Sequence, residues 1–361
     1  MLHPLVLLAG VLAACAPASQ SPPSDARRQT PPAPASASAA PAADPAPRRG
    51  LGTGTLVVLN KGGANAALVD LASGEVYATL PTGDGPHEVA VSADGRVAVV
   101  ADYGGQADGR TLTVLDLAGR RVVRTIDLGE HRRPHGIAWL SDGRRVAVTS
   151  ETSRAVLLVD VAAGRVERAI PTGQDGSHML ALALDGRRIF TSNIGSGSVS
   201  ALDVATGAHL RTIPTGAGAE GIDVSPDGAR VWVTNREADN VVVLDAATLQ
   251  PLDTFPSARM PIRVKLTPDG RTALVSNAMS GELRIFDAAT RRELAVIPTA
   301  ENPASNPMPV GVLISPDGAM AYVAMMQGNE VAAVDLRERR VVGRIRPGAG
   351  PDGMGWSPLA K

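Results

Sequence analysis

The chain has 361 residues, 35 basic against 36 acidic side chains, one cysteine and only 2% aromatic residues. Without a clustered basic block it lacks the charge that phosphate backbones require, so no nucleic-acid partner is expected. The apolar complement is Val, Leu, Ile and Ala in short β-favouring runs rather than at helical spacing, which points to an all-β fold.

In chain order, residues 1–14 hold an apolar run too short to span a bilayer, followed by small residues, the pattern of a cleaved export signal. Residues 1–4 carry no Lys or Arg, a departure from that pattern. Leu12-Ala13-Ala14-Cys15 resembles a bacterial lipobox, which implies that Cys15 is lipidated and becomes the mature N-terminus, with acyl chains holding the protein to a membrane. Cys15 is the only cysteine, so disulfides and haem attachment through a Cys pair are excluded from the mature chain. Residues 15–50 are rich in Pro, Ala and Ser and too poor in apolar side chains to offset the entropy of folding, so they are expected to be a disordered tether. The expected location is the cell envelope, facing the periplasm or the exterior, as a monomer.

From residue 51 onward the chain repeats. Asp-Gly pairs at Asp94, Asp142, Asp185, Asp227, Asp269 and Asp317 are spaced by 48, 43, 42, 42 and 48 residues. Asp-Gly between apolar runs signals a hairpin, on the expectation that both residues tolerate the positive φ of a tight turn. Each turn precedes a strand such as Arg230–Thr234, a loop, a second strand ending in Asp (Asp245 here), a further turn and a last strand. Four short strands per period is the signature of propeller blades. Six turns give six complete units. Residues 53–83 supply three strands of a seventh, and the segment from Gly350 to Pro358 aligns with the innermost strand of the others. The predicted fold is therefore a seven-bladed β-propeller of four-stranded blades over residues 51–361, closed by pairing the C-terminal strand with the N-terminal three.

Val233-Thr234-Asn235, preceded by Pro226-Asp227-Gly228, resembles the YVTN-repeat β-propellers and is similar to YncE-like periplasmic proteins over the whole folded region. That resemblance implies the fold but not one activity, because such propellers serve as non-catalytic surface proteins, lactone hydrolases and frames of redox enzymes.

Length variation marks one face. The interval from turn Gly to third-strand Asp is 17 residues in five blades but 21 from Gly95 to Asp116, an insertion around residues 104–110. A second insertion of six falls within residues 300–308, and both loops belong to the face opposite the Asp-Gly turns. Long loops on one face of a rigid repeat carry recognition, so this face is expected to bind.

Two rings on that face follow from spacing. Seven residues before each turn Asp lie His87, His135, His178, Glu220, Ile262 and Val310, with Asp352 equivalent in the split blade. Imidazoles with carboxylates suit a divalent transition metal such as zinc, copper or iron, with His87, His135 and His178 as its ligands, or a catalytic His. A solvated channel mouth accounts for polar residues there equally well. Met308, Met325, Met326 and Met279 are a further candidate patch for copper(I), with core packing as the alternative. Seven residues after each turn Gly lie Asp102, Ser150, Asn193, Asn235, Asn277 and Met325, with Asn60 matching in the first blade. Lys61, Tyr103, Glu151 and Arg236 follow this second ring, whose Asn residues are expected to cap loops. The leading expectation is a non-catalytic module binding an envelope protein, a glycan or a small ligand. Its rival is a lactonase-like or metal-dependent redox site at the channel mouth.

Overall fold

In the computed structural model, which describes residues 50–302 and 304–361, each Asp-Gly pair closes a hairpin between the first and second strands of a blade. The expected export signal, Cys15 and the tether up to residue 49 lie outside the described residues. The turn chemistry divides the labour more sharply than the sequence suggested. All six glycines have φ between 62° and 72°, while none of the six Asp residues does. Instead the Asp carboxylate accepts the backbone N–H two residues on, as from Arg96 to Asp94 at 3.0 Å and from Ala229 to Asp227 at 2.9 Å. The glycine supplies the left-handed residue and the carboxylate supplies the clamp. Asp residues ending the third strands act alike, Asp203 accepting from the Thr206 backbone and hydroxyl at 2.7 Å each.

The described residues form seven four-stranded antiparallel sheets. Blade one joins Thr55–Asn60, Asn65–Asp70 and Glu75–Pro81 to the C-terminal strand Pro351–Ser357, which pairs with Thr55–Asn60 from Thr55 opposite Ser357 to Asn60 opposite Pro351. Blades two to seven span residues 86–127, 134–171, 177–214, 219–256, 261–298 and 309–345. The ring is therefore closed by its last strand, as the repeat arithmetic required.

Second and third strands are buried along almost their whole length, because both of their faces meet neighbouring blades. Apolar side chains accordingly sort into seven clusters among the described residues, one per blade interface. Val99, Leu112, Val148 and Leu157 join blades two and three; Leu56, Tyr322 and Met354 join seven and one. Each fully buried Val or Leu contributes about 1.5–3 kcal/mol, so a core almost without aromatics suffices when it is repeated around a ring. Outer strands such as Arg121–Asp127 expose most positions and bury one apolar residue, here Ile126, which leaves a polar edge.

Candidate functional site at the channel mouth

Every innermost strand breaks register beside its second residue, as between Pro86 and Glu88 and between Pro261 and Arg263. This bulge leaves one residue unpaired and turns its side chain toward the axis. Those residues are the first ring: His87, His135, His178, Glu220, Ile262, Val310 and Asp352. The next position explains the recurring Pro-x-Gly pattern. A Cβ on Gly353 would stand 2.1 Å from the His87 carbonyl oxygen, and one on Gly311 2.1 Å from that of Asp352, so neighbouring inner strands approach too closely for a side chain. Where the glycine is replaced, Met179 packs into the core, while Glu88 and Arg263 form an ion pair with each other.

The residue before each inner strand has positive φ in all seven blades, between 51° and 72°. Four are glycines (Gly85, Gly176, Gly218, Gly350) and three are Arg133, Met260 and Met308. A side chain in this region costs about 1–2 kcal/mol, and all three lie at the mouth. Met260 and Met308 line a cavity there of about 220 Å³, and Arg133 donates to the Tyr103 hydroxyl at 2.7 Å and to Asp108 at 2.5 Å.

One half of the cavity wall is polar and aromatic. The imidazoles of His87, His135 and His178 stack in sequence, with centroids 4.5 and 3.7 Å apart, and Tyr103 meets His87 edge-on at 4.6 Å. His178 Nδ1 lies 2.5 Å from Glu151 Oε1 and its Nε2 2.9 Å from Glu220 Oε1, an arrangement that only the imidazolium satisfies with two donors. Burial disfavours that charge, but Glu220 and Glu151 overcome it and push the pKa up to about 9. Burial likewise works against the Glu220 carboxylate. His178, Arg263 and Arg236 outweigh it and hold the pKa at about 2. His135, 1% exposed, has the opposite fate: burial, then the neighbouring His178 and His87, take it well below the ordinary histidine range, so it is neutral. The other half of the wall is apolar, from Met260, Ile262, Met308, Val310 and Met326. Arg263 also lines a larger cavity of about 540 Å³ reached from the Asp-Gly-turn side.

Six buried side-chain polar atoms lack a hydrogen-bond partner among the described residues, and three of them belong to residues that line this cavity: His87 Nδ1, His135 Nδ1 and Arg263 Nη1. His87 Nδ1 stands 3.1 Å from Asp352 Oδ2, an ion-pair distance without hydrogen-bond alignment. Arg263 Nη1 is 3.6 Å from Glu220 Oε1, too far for a hydrogen bond.

The family model for the YncE-like β-propeller matches residues 39–145 and 142–255, well over half of the chain. The chain belongs to the YncE-like β-propeller family. Among solved structures it is similar to a chain of hydrazine synthase from Kuenenia stuttgartiensis, with a TM-score of 0.66 and 20% identity over 78% of this chain and 92% of that one. It is also similar to a functionally unknown protein from Desulfotomaculum acetoxidans, with a TM-score of 0.69 and 14% identity over 83% and 98%. At these identities the likeness is one of fold. No curated protein matches the chain.

Within this YncE-like propeller the two predicted rings separate. The first ring, with Tyr103 and Arg236, gathers on the cavity, and Glu151 stands behind His178. Far from being solvated, His135, His178, Glu220 and Asp352 are all under 10% exposed. The three imidazoles expected to hold a metal pack ring against ring at tilts of 41° and 33°, and His178 has both nitrogens against carboxylates. Among the described residues no group of three or more His, Cys, Asp or Glu side chains is placed to hold a metal ion. The methionine patch divides as well: Met325 is in the core and Met279 is exposed, leaving Met308 and Met326 on the cavity. Asn60, Asp102, Asn193, Asn235 and Asn277 are buried off the cavity lining and act as clamps. Asn235 donates to the Thr215 carbonyl at 3.1 Å and Asn60 to that of Pro347 at 3.0 Å, each tying a second strand to the segment that enters the inner strand. Sequence reading missed Glu88, Arg263, Arg133 and Met260. The first two were detectable as breaks in Pro-x-Gly, the last two as bulky residues where sister blades have Gly.

Proposed function

We propose that the protein is an exported, lipid-anchored binding module whose ligand site is the channel-mouth cavity, on the face carrying the two longer connections. These connections and the first ring converge: Met308 ends the stretch 300–308 that holds the insertion, and Tyr103 stands at the base of the hairpin lengthened around Gly104. The observation that carries the reading is the concentration of unsatisfied buried polar atoms on one cavity, because burying such an atom costs free energy that a bound ligand restores. Binding is favoured over turnover since the candidate acid and base, His178 and Glu220, neutralise each other and sit far from neutral pKa values.

The test is a thermal-shift screen of small molecules on the full-length protein beside a His135→Phe variant, which removes an orphaned nitrogen while keeping a ring in the stack. The variant is expected to melt at or above the wild type and to lose the stabilisation by ligands. Hits that stabilise both proteins equally sink the cavity assignment. For the anchor, labelled palmitate is expected on the wild type and absent from Cys15→Ala; label retained by the variant refutes lipidation at that residue.

A further inference from the structure

We propose that the channel-mouth cavity takes a small organic anion, a carboxylate carried on a short aromatic or apolar body. This rests on the reading of the cavity as the ligand site and adds the chemistry of its occupant.

Charge gives the first part of the argument. The lining holds Lys61, Arg236, Arg263 and the imidazolium of His178, and the acids facing them are Glu220 and Asp352 on the lining with Glu151 and Glu88 beside it. All four acids are already engaged, Asp352 by His87, Glu220 by His178, Arg236 and Arg263, Glu151 by His178 and Glu88 by Arg263. The Lys61 ammonium makes no hydrogen bond or ion pair among the described residues and acts on Asp352 only through its charge. A cationic occupant would find no acid free to receive it, whereas a carboxylate would meet the unpaired Lys61.

Hydrogen bonding gives the second. Arg263 Nη1 is an obligate donor, buried and unmatched, and the orphaned Nδ1 of neutral His135 is a donor in one tautomer. Two unmatched donors on residues that line one cavity, beside an ammonium without an ion pair, are what a carboxylate needs, and charge-assisted hydrogen bonds are the strong ones. Both groups are buried by the fold itself, so they are pre-organised before any ligand arrives.

The third part comes from the backbone. Met260 and Met308 occupy left-handed positions that Gly fills in four sister blades, and each is only half-buried. Strain retained at a cavity wall, where glycine would relieve it, points to a use for the side chains. Their thioethers, with Ile262, Val310 and Met326, present a soft apolar surface across from the donors, and methionine sulfur packs well against aromatic rings. The cavity volume of about 220 Å³ equals roughly seven liquid-water volumes, a scale for one small acid rather than a polymer.

Isothermal titration of the full-length protein at neutral pH with phenylacetate, phenylacetamide, benzylamine and acetate tests this. Phenylacetate is expected to bind, the neutral amide and the short acid each roughly tenfold more weakly or worse, and the amine not at all. Lys61→Met should weaken phenylacetate while leaving the amide unchanged. Met308→Gly should weaken phenylacetate several-fold without lowering the melting temperature, since lost packing is offset by relief of backbone strain. Equal binding of acid and amide, or preference for the amine, overturns the anion assignment. If that binding is still lost in His135→Phe, the cavity survives as the ligand site. Absence of binding by all four probes also overturns the anion proposal, and the thermal-shift screen then decides separately whether the cavity binds anything.

Discussion

Asp102 replaces the asparagine that blades one, four, five and six carry at the same position, and its surroundings are those of an amide. It is 1% exposed and accepts from Thr111 and Thr113 hydroxyls at 2.8 Å each and from the Gly83 N–H at 3.1 Å, with no cation against it. Burial is the largest influence, outweighs those hydrogen bonds and pushes the pKa up to about 6. Because the folded pKa lies above the unfolded value of 3.8, stability falls as pH rises from about 4 to about 6 and stays reduced above that. Asp102→Asn is therefore expected to raise the melting temperature at pH 7.5, by the equivalent of at most ~3 kcal/mol for a shift of this size, and to lose its advantage below pH 4. An advantage independent of pH would show that the carboxylate is not the cause. His178 and Glu220 run the other way. His178, raised to about 9, contributes stability that is complete below the unfolded value of 6.5 and lost as pH climbs toward 9. Glu220, held at about 2, contributes above 4.5 and loses it in acid. Their pair is thus at full strength between about pH 4.5 and 6.5. Glu220→Gln, which leaves a buried imidazolium short of a partner, should cost about 3 kcal/mol or more there, measured by urea unfolding at pH 6, and the cost should shrink toward pH 9.

At the scale of the element, the inner strand does most to build the site, and it shows what a sequence makes legible. The ring His87, His135, His178, Glu220 and Asp352 was visible because it stands at a constant distance from a turn whose chemistry, Asp then Gly, repeats by residue type. The positions on either side of it were not, since there the backbone repeats but the residue does not. The left-handed position is Gly218 in blade five and Met260 in blade six; the tight position is Gly353 in blade one and Glu88 in blade two. Conformation is conserved around the ring by geometry alone, so reading residue identities misses it. The partnership of Glu88 with Arg263, 175 residues apart, exists only because the ring brings blades two and six to a common axis. The same logic predicts which substitutions the strand refuses. Gly353→Ala puts a methyl group 2.1 Å from the His87 carbonyl oxygen, a backbone atom that cannot rotate away. An overpacked core typically costs 1–3 kcal/mol, and about 2 kcal/mol or more is expected here. Gly143→Ala, where no atom lies within 4 Å, tests backbone strain alone, because its φ is 62°. Chemical denaturation of the two variants should rank Gly353→Ala as clearly the worse, and the reverse order would mean that the inner strands are looser than this packing implies.

For the whole molecule, closure and site are the same event. Strand Pro351–Ser357 covers the edge of Thr55–Asn60 and also delivers Asp352 to His87. It is held by more than its ladder: Thr55 Oγ1 donates to the Leu359 carbonyl at 2.7 Å, Trp356 Nε1 to that of Thr53 at 2.9 Å and Ser357 Oγ to that of Gly95 at 2.7 Å. Removing residues 351–361 uncovers a paired edge and, by taking Met354 out of its cluster, the apolar side chains of Leu56 and Val58 at once, so the truncated chain is expected to melt well below the wild type and to self-associate through the bare edge. Such a loss alone does not distinguish a missing strand from a damaged fold. A permutant does. Ser357 lies directly opposite Thr55, in the relation that Ser92 bears to Val97 across an ordinary Asp-Gly turn. Joining residue 357 to residue 55 through a four-residue Pro-Asp-Gly-Ala turn like that of residues 226–229, with new termini in the connection at residues 300–306, converts blade one into a continuous blade like its six sisters and removes only a noncovalent closure. Loop-closure entropy favours the short connection, so the permutant should melt at or above the wild-type temperature and keep the His135-dependent ligand response. If it folds stably but loses that response, the site depends on the 300–308 connection rather than on ring closure.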